Sequence, residues 1–104
     1  GYTAAQAYRW QVFSKASSLM HGETMGAEAS YMKIFWSELD VDLHATALEL
    51  LAERGELLAS APDAISEHDW MSGYLFSLSG PIYAGTNEIQ RNIVAERVLG
   101  LPRK

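Results

Sequence analysis

The sequence GPIYAGTNEIQRN, residues 80–92, predicts a sharp corner between two helices. The Gly-Pro pair ends the preceding helix, because proline lacks an N–H donor and cannot continue a helix. Glycine in the Ala84–Gly85 turn opens backbone conformations that other residues avoid. The hydroxyl of Thr86 is suited to cap the next helix, and Glu88 places negative charge in its first turn, where the helix dipole favours it. The corner is therefore expected to leave backbone N–H groups free to bind a ligand.

Two longer helices precede the corner. Apolar residues at helical spacing follow a predicted N-cap at Thr3 as far as Met20, and a short polar turn at 22–26 comes next. The second helix is predicted from about Ala27 to Arg54, with Gly55 closing it. Its apolar stripe is the clearest in the chain, and the opposite face holds charged residues: Lys33, Glu38, Asp40, Asp42 and Glu49.

The rest of the chain predicts two shorter helices. Residues 56–67 are expected to form a loop with at most one helical turn. A third helix opens at Asp69 and continues at helical spacing to Leu78. The fourth is predicted from about Asn87 to Leu99, and we expect it to bury one apolar side: Ile89, Ile93 and Val98. Because no strand-like alternation occurs, residues 1–104 are predicted to form a single all-α, four-helix bundle-like domain.

Composition excludes several classes of protein. The 104 residues carry a net charge of −5, which argues against non-specific nucleic-acid binding and against a polybasic contact with a membrane surface. No cysteine is present, so disulfides, thiol chemistry and cysteine–metal sites are excluded. No apolar run is long enough to span a bilayer. A cytoplasmic protein without nucleic-acid or membrane partners is expected.

The corner also carries a family resemblance. Residues 83–103, YAGTNEIQRNIVAERVLGLPR, resemble the C-terminal signature of flavin-dependent acyl-CoA dehydrogenases. Upstream, residues 26–30 (GAEAS) and 33–39 (KIFWSEL) resemble the preceding helix in one bacterial branch of that family. The likeness covers most of the chain and is weakest between Gly55 and Trp70.

This resemblance implies that the chain is a C-terminal fragment of a longer enzyme, whose N-terminal helical domain and middle β domain lie outside residues 1–104. The implied reaction, in lipid metabolism, is FAD-dependent α,β-dehydrogenation of an acyl-CoA thioester. Electron-transfer flavoprotein is the implied electron acceptor. The implied assembly is a homo- or hetero-oligomer, typically a tetramer in the family. The fragment alone is expected to lack dehydrogenase activity and not to retain FAD.

The resembled positions identify candidate binding residues at the corner. Gly85 would let the acyl thioester approach the backbone closely, and Tyr83 is a second candidate substrate contact. Thr86, Asn87 and Glu88 match positions that contact FAD near the helix start, where N–H groups can meet phosphate or ribose oxygens. A purely structural interpretation stays open, in which Gly85 only permits the turn and Thr86 and Glu88 only cap a helix. No metal ligands are predicted.

The usual catalytic base is absent from the corner. The reaction needs a carboxylate held against the substrate in a water-poor site, where desolvation raises its basicity. In many family members a glutamate stands immediately before the Gly-Thr of the motif. Here that position is Ala84, whose methyl group cannot accept a proton. Either an earlier helix outside this sequence supplies the carboxylate, or the chain belongs to a subunit that has lost the base and is paired with a catalytic one.

Two further departures from the family pattern favour such a catalytically silent subunit. Leu78 stands where the family usually has an arginine a few residues before the tyrosine. Many members also have a Gln-x-x-Gly-Gly segment that reaches the FAD of the neighbouring subunit, and the corresponding residues 49–55 lack it. A free-standing helical interaction module, which would reuse the bundle without flavin, is the remaining alternative.

The histidines and tryptophans have simpler interpretations. The histidines lack metal-ligand spacing and are interpreted as surface or helix-end residues: His21, His44 and His68. The tryptophans lie at helical spacing beside leucine and methionine. They are interpreted as core residues, with the lining of an acyl pocket as the alternative: Trp10, Trp36 and Trp70.

Overall fold

Helices form the regular structure of the computed structural model, which describes residues 1–64 and 69–103. Its elements in chain order are α1 (Tyr2–Met20), α2 (Glu28–Leu51), a 3-10 segment (Ala52–Glu56), α3 (Trp70–Ser77) and α4 (Asn87–Arg97). No strand occurs in the described residues. The predicted all-α, four-helix architecture is confirmed. Within the same residues, no helix is long and apolar enough to cross a membrane.

The first helix begins earlier than the sequence predicts. α1 starts at Tyr2 with Gly1 as its N-cap, and the carbonyl of Gly1 accepts a hydrogen bond from the N–H of Ala5 at 3.0 Å. Thr3 therefore lies inside the first turn of α1, and no side chain caps this helix in the described part of the chain. The prediction of Thr3 as N-cap is wrong.

The second helix ends earlier than predicted. α2 stops at Leu51 instead of continuing to Arg54, because Ala52 adopts a positive φ of 50° that interrupts the helical backbone. Gly55 does not close α2 but lies buried in the 3-10 segment. A Cβ atom on Gly55 would lie 3.0 Å from the Cδ2 atom of Leu48, so this glycine allows close packing against α2.

The starts of the last two helices agree with the prediction. The carboxylate of Asp69 accepts a hydrogen bond from the N–H of Ser72 at 3.1 Å, and the hydroxyl of Thr86 accepts one from the N–H of Ile89 at 3.3 Å. Side chains therefore cap both helices. α4 ends at Arg97, two residues before its predicted end. Residues 65–67 of the predicted loop, and His68, lie outside the described residues.

α2 is the central element of the domain. It contacts α1, α3, α4 and the 3-10 segment, whereas α1 contacts no helix other than α2 in the described residues. The rings of Tyr8 and Phe35 stack with their centroids 6.0 Å apart, and Lys15 pairs with Glu28 at 3.2 Å. The pKa of the Glu28 carboxyl lies below its usual value, first because of its own backbone N–H and then because of the Lys15 ammonium. A few side-chain contacts thus hold α1 at the edge of the domain.

The helices leave large apolar surfaces open. Among the described residues no apolar side chain is fully buried, and the buried side chains are polar: Ser30, Ser37, Ser77 and Asn87. The chain exposes 7625 Å², whereas a compact monomer of this mass is expected to expose about 5,800 Å². The radius of gyration over Cα atoms is 17.4 Å, against about 13 Å for a compact domain of similar length. The packing around α2 is therefore open.

Several side chains predicted to be buried are exposed for this reason. Ile89 of α4 is 52% exposed, Val98, which directly follows α4, is 57% exposed, and Ile93 is only half-buried. The predicted apolar side of the fourth helix is thus not buried within the domain. Trp10 is 67% exposed, so its interpretation as a core residue is wrong, whereas the other two tryptophans are half-buried.

The open packing predicts strong dye binding by the 104-residue chain on its own. We expect the fluorescence of 1-anilinonaphthalene-8-sulfonate to rise several-fold, because this dye binds exposed apolar surface. Replacing Trp10 and Phe13, which are exposed on α1, with glutamine should reduce that rise, while Ser14→Gln on the same helix should not. No fluorescence rise, together with the hydrodynamic radius of a compact 11.5 kDa protein, would contradict the open packing.

The backbone of Ala52 predicts a stabilising substitution. Its φ of 50° is a value that alanine adopts at a cost and glycine does not. We expect Ala52→Gly to raise the free energy of unfolding by about 0.5–1 kcal/mol, measured by urea denaturation and far-UV circular dichroism. Ala45→Gly, in the middle of α2, is the matched control and should lower it by about 1 kcal/mol. A loss of stability in both variants would be inconsistent with strain at Ala52.

Candidate functional site

The corner between α3 and α4 is closed by backbone hydrogen bonds. The N–H of Gly80 donates to the carbonyl of Ser77 at 2.9 Å, and the N–H of Asn87 donates across the corner to the carbonyl of Pro81 at 2.8 Å. Gly80 is buried against α2, where a Cβ atom on it would lie 3.3 Å from the Cβ of Ser37. α3 ends at Ser77, three residues before the Gly-Pro pair that was predicted to break it. The missing side chain of Gly80 allows the corner to approach α2 closely.

The Ala84–Gly85 turn has a left-handed backbone at both residues. The φ angle is 54° at Ala84 and 84° at Gly85, a conformation that costs alanine roughly 1–2 kcal/mol. Both residues are exposed. No acceptor among the described residues binds the backbone N–H groups of Ala84, Gly85 or Thr86. The prediction of free N–H groups at the corner is confirmed.

The carbonyl groups of the same turn are bound by side chains. Gln90 Nε2 donates to the carbonyl of Ala84 at 2.8 Å, and Lys33 Nζ, from α2, donates to the carbonyl of Gly85 at 3.0 Å. The C=O and N–H of one planar trans peptide point in opposite directions. These two hydrogen bonds therefore orient the N–H group of Gly85 away from the Gln90 side chain and the N–H group of Thr86 away from the Lys33 side chain.

Asn87, the first residue of α4, is only 2% exposed and lies in a polar network with α2. Its Oδ1 accepts a hydrogen bond from Lys33 Nζ at 2.7 Å. Its Nδ2 donates to Ser37 Oγ at 3.1 Å and to Glu38 Oε1 at 3.3 Å. Glu38 also pairs with Arg91 of α4. Two cations, a carboxylate and a buried amide thus hold the start of α4 against α2.

Four of the five predicted binding residues are accessible to solvent: Tyr83, Gly85, Thr86 and Glu88. Tyr83 is 43% exposed, and its ring centroid lies 6.3 Å from that of Trp36. Thr86 is half-buried, and its hydroxyl caps α4. The amide of Asn87, in contrast, already has partners inside the protein. The corner thus presents an aromatic ring, a glycine, backbone donors and a carboxylate within one short segment.

Lys33, Ser37 and Glu38 contact the corner although the sequence analysis does not identify them as site residues. In the sequence, Lys33 and Glu38 are recognisable only as part of the charged face of the second helix. The structure brings Lys33 and Ser37 against Asn87, which is 54 and 50 residues away along the chain. Their spacing indicates a common helix face, but nothing in the sequence pairs that face with the start of α4.

Two departures from the resembled pattern can be located in the structure. Leu78 follows the last residue of α3 and is 40% exposed. In residues 49–55, Ala52 takes the place of the first glycine when Glu49 is set in the place of the glutamine. The φ of 50° at Ala52 is one that favours glycine. A glycine-type backbone conformation is therefore present without the glycine.

The histidines form no metal centre in the residues that the structure describes, where no cluster of three potential ligands occurs. His21 is exposed at the end of α1, with its Nδ1 atom 2.7 Å from the carbonyl oxygen of Ser17. His44 is half-buried within α2, with its Nδ1 atom 2.9 Å from the carbonyl oxygen of Asp40. The interpretation as a surface or helix-end residue is confirmed for His21 and wrong for His44.

Comparison with known proteins identifies the family. A sequence model described as "Acyl-CoA dehydrogenase, C-terminal domain" matches residues 2–99. Acyl-CoA dehydrogenase IpdE1 of Mycolicibacterium smegmatis is 38% identical over 103 residues, which are 99% of this chain and 24% of that protein. Its namesake in Mycobacterium tuberculosis is 42% identical over 72 residues, 69% of this chain and 18% of that protein. The chain belongs to the acyl-CoA dehydrogenase family and spans about a quarter or less of the length of these relatives.

Solved structures show the same fold. The ChsE4-ChsE5 complex from Mycobacterium tuberculosis matches with a TM-score of 0.86 and 28% sequence identity, over 99% of this chain and 26% of that chain. The Tcur3481-Tcur3483 steroid ACAD matches with a TM-score of 0.88 and 24% identity, over 99% of this chain and 27% of that chain. The second likeness shows the fold alone. The resemblance stated from residues 83–103 is thus confirmed.

The buried network predicts a large effect of Asn87→Ala. We expect this variant to lower the free energy of unfolding by about 1–3 kcal/mol, because the Lys33 ammonium, the Ser37 hydroxyl and the Glu38 carboxylate each lose a hydrogen bond to the buried amide. Asn92→Ala, at an exposed position of the same helix, is the control and should change it by less than about 0.5 kcal/mol. Urea denaturation measures both. Equal effects of the two substitutions would contradict a structural role of the Asn87 amide.

Proposed function

We propose that this chain is the C-terminal domain of a longer FAD-dependent acyl-CoA dehydrogenase, which oxidises the Cα–Cβ bond of an acyl-CoA thioester. One observation supports the proposal best. In the turn, the backbone N–H groups of Ala84, Gly85 and Thr86 have no acceptor among the described residues, while side chains bind two of the carbonyl groups. In a chain of this family, such a turn is suited to bind oxygen atoms of a cofactor or substrate.

The donors and acceptors of the corner fit the ribose and phosphate part of FAD. The N–H groups of Gly85 and Thr86 suit phosphate or ribose oxygens. The exposed carboxylate of Glu88 suits the hydroxyl groups of a ribose. Asn87 would contribute by holding the start of α4 in place, since its amide has partners inside the protein. When bound, FAD supplies the hydride acceptor.

Gly85 and Tyr83 are the proposed substrate contacts. Gly85 has no side chain to keep a thioester away from the backbone. The peptide groups before and after it are held in place, because Gln90 binds the carbonyl of Ala84 and Lys33 binds the carbonyl of Gly85. The neighbouring rings of Tyr83 and Trp36 form an aromatic surface that could line an acyl group and exclude water. These residues would orient the substrate.

The proton must be taken by a carboxylate from elsewhere, because Ala84 has only a methyl group at the usual position of the base. We propose that an earlier helix of the same longer polypeptide supplies it. The base would then lie on a separate element, and its alignment would depend on how the corner packs against that helix. A water-poor site would still be needed to raise the basicity of this carboxylate.

A catalytically silent subunit of a heteromeric dehydrogenase is the second candidate. Two departures from the family pattern favour it: Leu78 replaces the usual arginine, and residues 49–55 lack the Gln-x-x-Gly-Gly segment. One similar solved structure is itself a complex of two different chains, ChsE4 and ChsE5. In this case a partner subunit would provide the base, and the present chain would contribute to the assembly.

The remaining features of the proposal concern partners and location. We propose that the enzyme assembles as a tetramer in the cytoplasm, acts in lipid metabolism and passes electrons to electron-transfer flavoprotein. Preceding domains and neighbouring subunits would cover the apolar surface that the helices leave open, such as that of Trp10 and Phe13. The net charge of −5 disfavours nucleic-acid or membrane partners.

The decisive measurement is the intact mass of the native gene product together with its visible spectrum. We expect a chain several-fold larger than 11.5 kDa with a flavin absorption band, and dehydrogenation of at least one member of an acyl-CoA panel from short straight-chain to polycyclic acyl groups. The 104-residue chain alone should show no turnover, because it lacks both the base and most flavin contacts.

Other outcomes separate the candidates. Activity only after co-purification with a second dehydrogenase-like chain would favour the silent subunit. A native chain of 11.5 kDa without flavin would overturn the dehydrogenase proposal and leave a free-standing helical interaction module. Turnover of an acyl-CoA by the 104-residue chain alone would contradict the proposed division of the active site.

A further inference from the structure

Lys33 controls one peptide group of the binding turn from a different helix. Its ammonium donates a hydrogen bond to the carbonyl of Gly85 at 3.0 Å. The N–H at the other side of that peptide belongs to Thr86 and has no acceptor among the described residues. Because the peptide is planar, the bond that fixes the direction of the carbonyl also fixes the direction of this N–H.

The ammonium is itself held in position. Its second acceptor, Oδ1 of the buried Asn87, lies 2.7 Å away, and the amide of Asn87 continues to Ser37 and Glu38. A charged donor binds a carbonyl more strongly than a neutral donor does. A bond to the carbonyl oxygen also polarises the peptide, so that its N–H becomes a better donor. The neighbouring carbonyl of Ala84, in contrast, accepts a hydrogen bond from a neutral donor, the side-chain amide of Gln90 in α4.

We propose that Lys33 is a positioning residue that directs and polarises the Thr86 N–H toward an oxygen atom of the bound flavin. This inference rests on the proposed function, because it names the ligand of that same turn. Lys33 would act through the Gly85–Thr86 peptide without touching the cofactor. The sequence places it 52 residues before Gly85, so its role depends on the approach of α2 to the corner.

The test uses the full-length flavoenzyme that carries this chain, with three variants. Lys33→Met removes the donor, and Lys33→Arg keeps a cation with several N–H groups. Lys15→Met is the matched control, because Lys15 pairs at 3.2 Å with Glu28 on the α1 side of the domain. FAD affinity is measured by reconstitution of the apoenzyme, and KM for an acyl-CoA is measured at saturating FAD.

We expect Lys33→Met to weaken FAD binding about tenfold or more, which corresponds to the loss of one good hydrogen bond between the Thr86 N–H and the flavin. Its KM at saturating FAD should change less than about threefold. Lys33→Arg should recover part of the affinity, and Lys15→Met should leave FAD affinity unchanged. Equal FAD affinities of Lys33→Met and Lys15→Met would overturn the proposal, and so would an effect of Lys33→Met on KM alone.

Amide hydrogen exchange of the apoenzyme supplies a readout that does not depend on flavin. In Lys33→Met the exchange of the Thr86 N–H should change several-fold, while amides in the last turn of α2, such as that of Leu48, should keep their wild-type rates. Unchanged exchange at Thr86 would overturn the positioning role, and so would uniform acceleration throughout α2, which indicates general destabilisation. Absence of flavin from the wild-type enzyme would instead overturn the proposed function, and with it the assignment of flavin as the ligand of the turn.

Discussion

The hydrogen bonds of the Lys33 ammonium are the contacts on which the corner between α3 and α4 depends. They join α2 to the carbonyl of Gly85 and to the side chain of Asn87, and the amide of Asn87 extends the network to Ser37 and Glu38. Charge-assisted hydrogen bonds in a partly buried site are strong, and losing one partner leaves the other unpaired at a cost of about 1–3 kcal/mol. The geometry of the exposed turn is therefore set largely by residues from another helix.

This polar network has no apolar counterpart inside the domain. The buried side chains in the described residues are serines and an asparagine, while Trp10, Phe13 and many other large apolar residues remain exposed. Directional hydrogen bonds fix how the helices meet, but most of the stabilisation available from apolar burial is not realised within the domain. The chain spans about a quarter or less of the length of its relatives, and its excess exposed surface is consistent with that. In the proposed enzyme, assembly with other surfaces would supply that stabilisation.

The division of roles within the proposed site follows from the same arrangement. The corner offers backbone donors, which need precise placement, and it has no acidic side chain at position 84. Glycine-type backbone angles at Ala84 and Ala52 show that the chain adopts these conformations even where no glycine is present. Surrounding contacts must therefore outweigh the cost of a positive φ at an alanine. A site built in this way depends on tertiary support more than on the chemistry of its own side chains.

Local signals made much of the fold predictable from the sequence. The turn at Gly85 and the caps Asp69 and Thr86 act over a few residues, and the structure agrees with them. The end of α2 was not predictable, because alanine gives no sign of the positive φ at position 52. Apolar periodicity predicted the helices but not the burial of Ile89 or Val98, since an apolar stripe does not specify which protein surface covers it. By itself, then, the sequence determined the helices, the family and the turn. Only the tertiary structure decided that Lys33 supports this turn, because these residues are 52 positions apart and bond only where the fold brings Lys33 Nζ and the Gly85 carbonyl oxygen to within 3.0 Å.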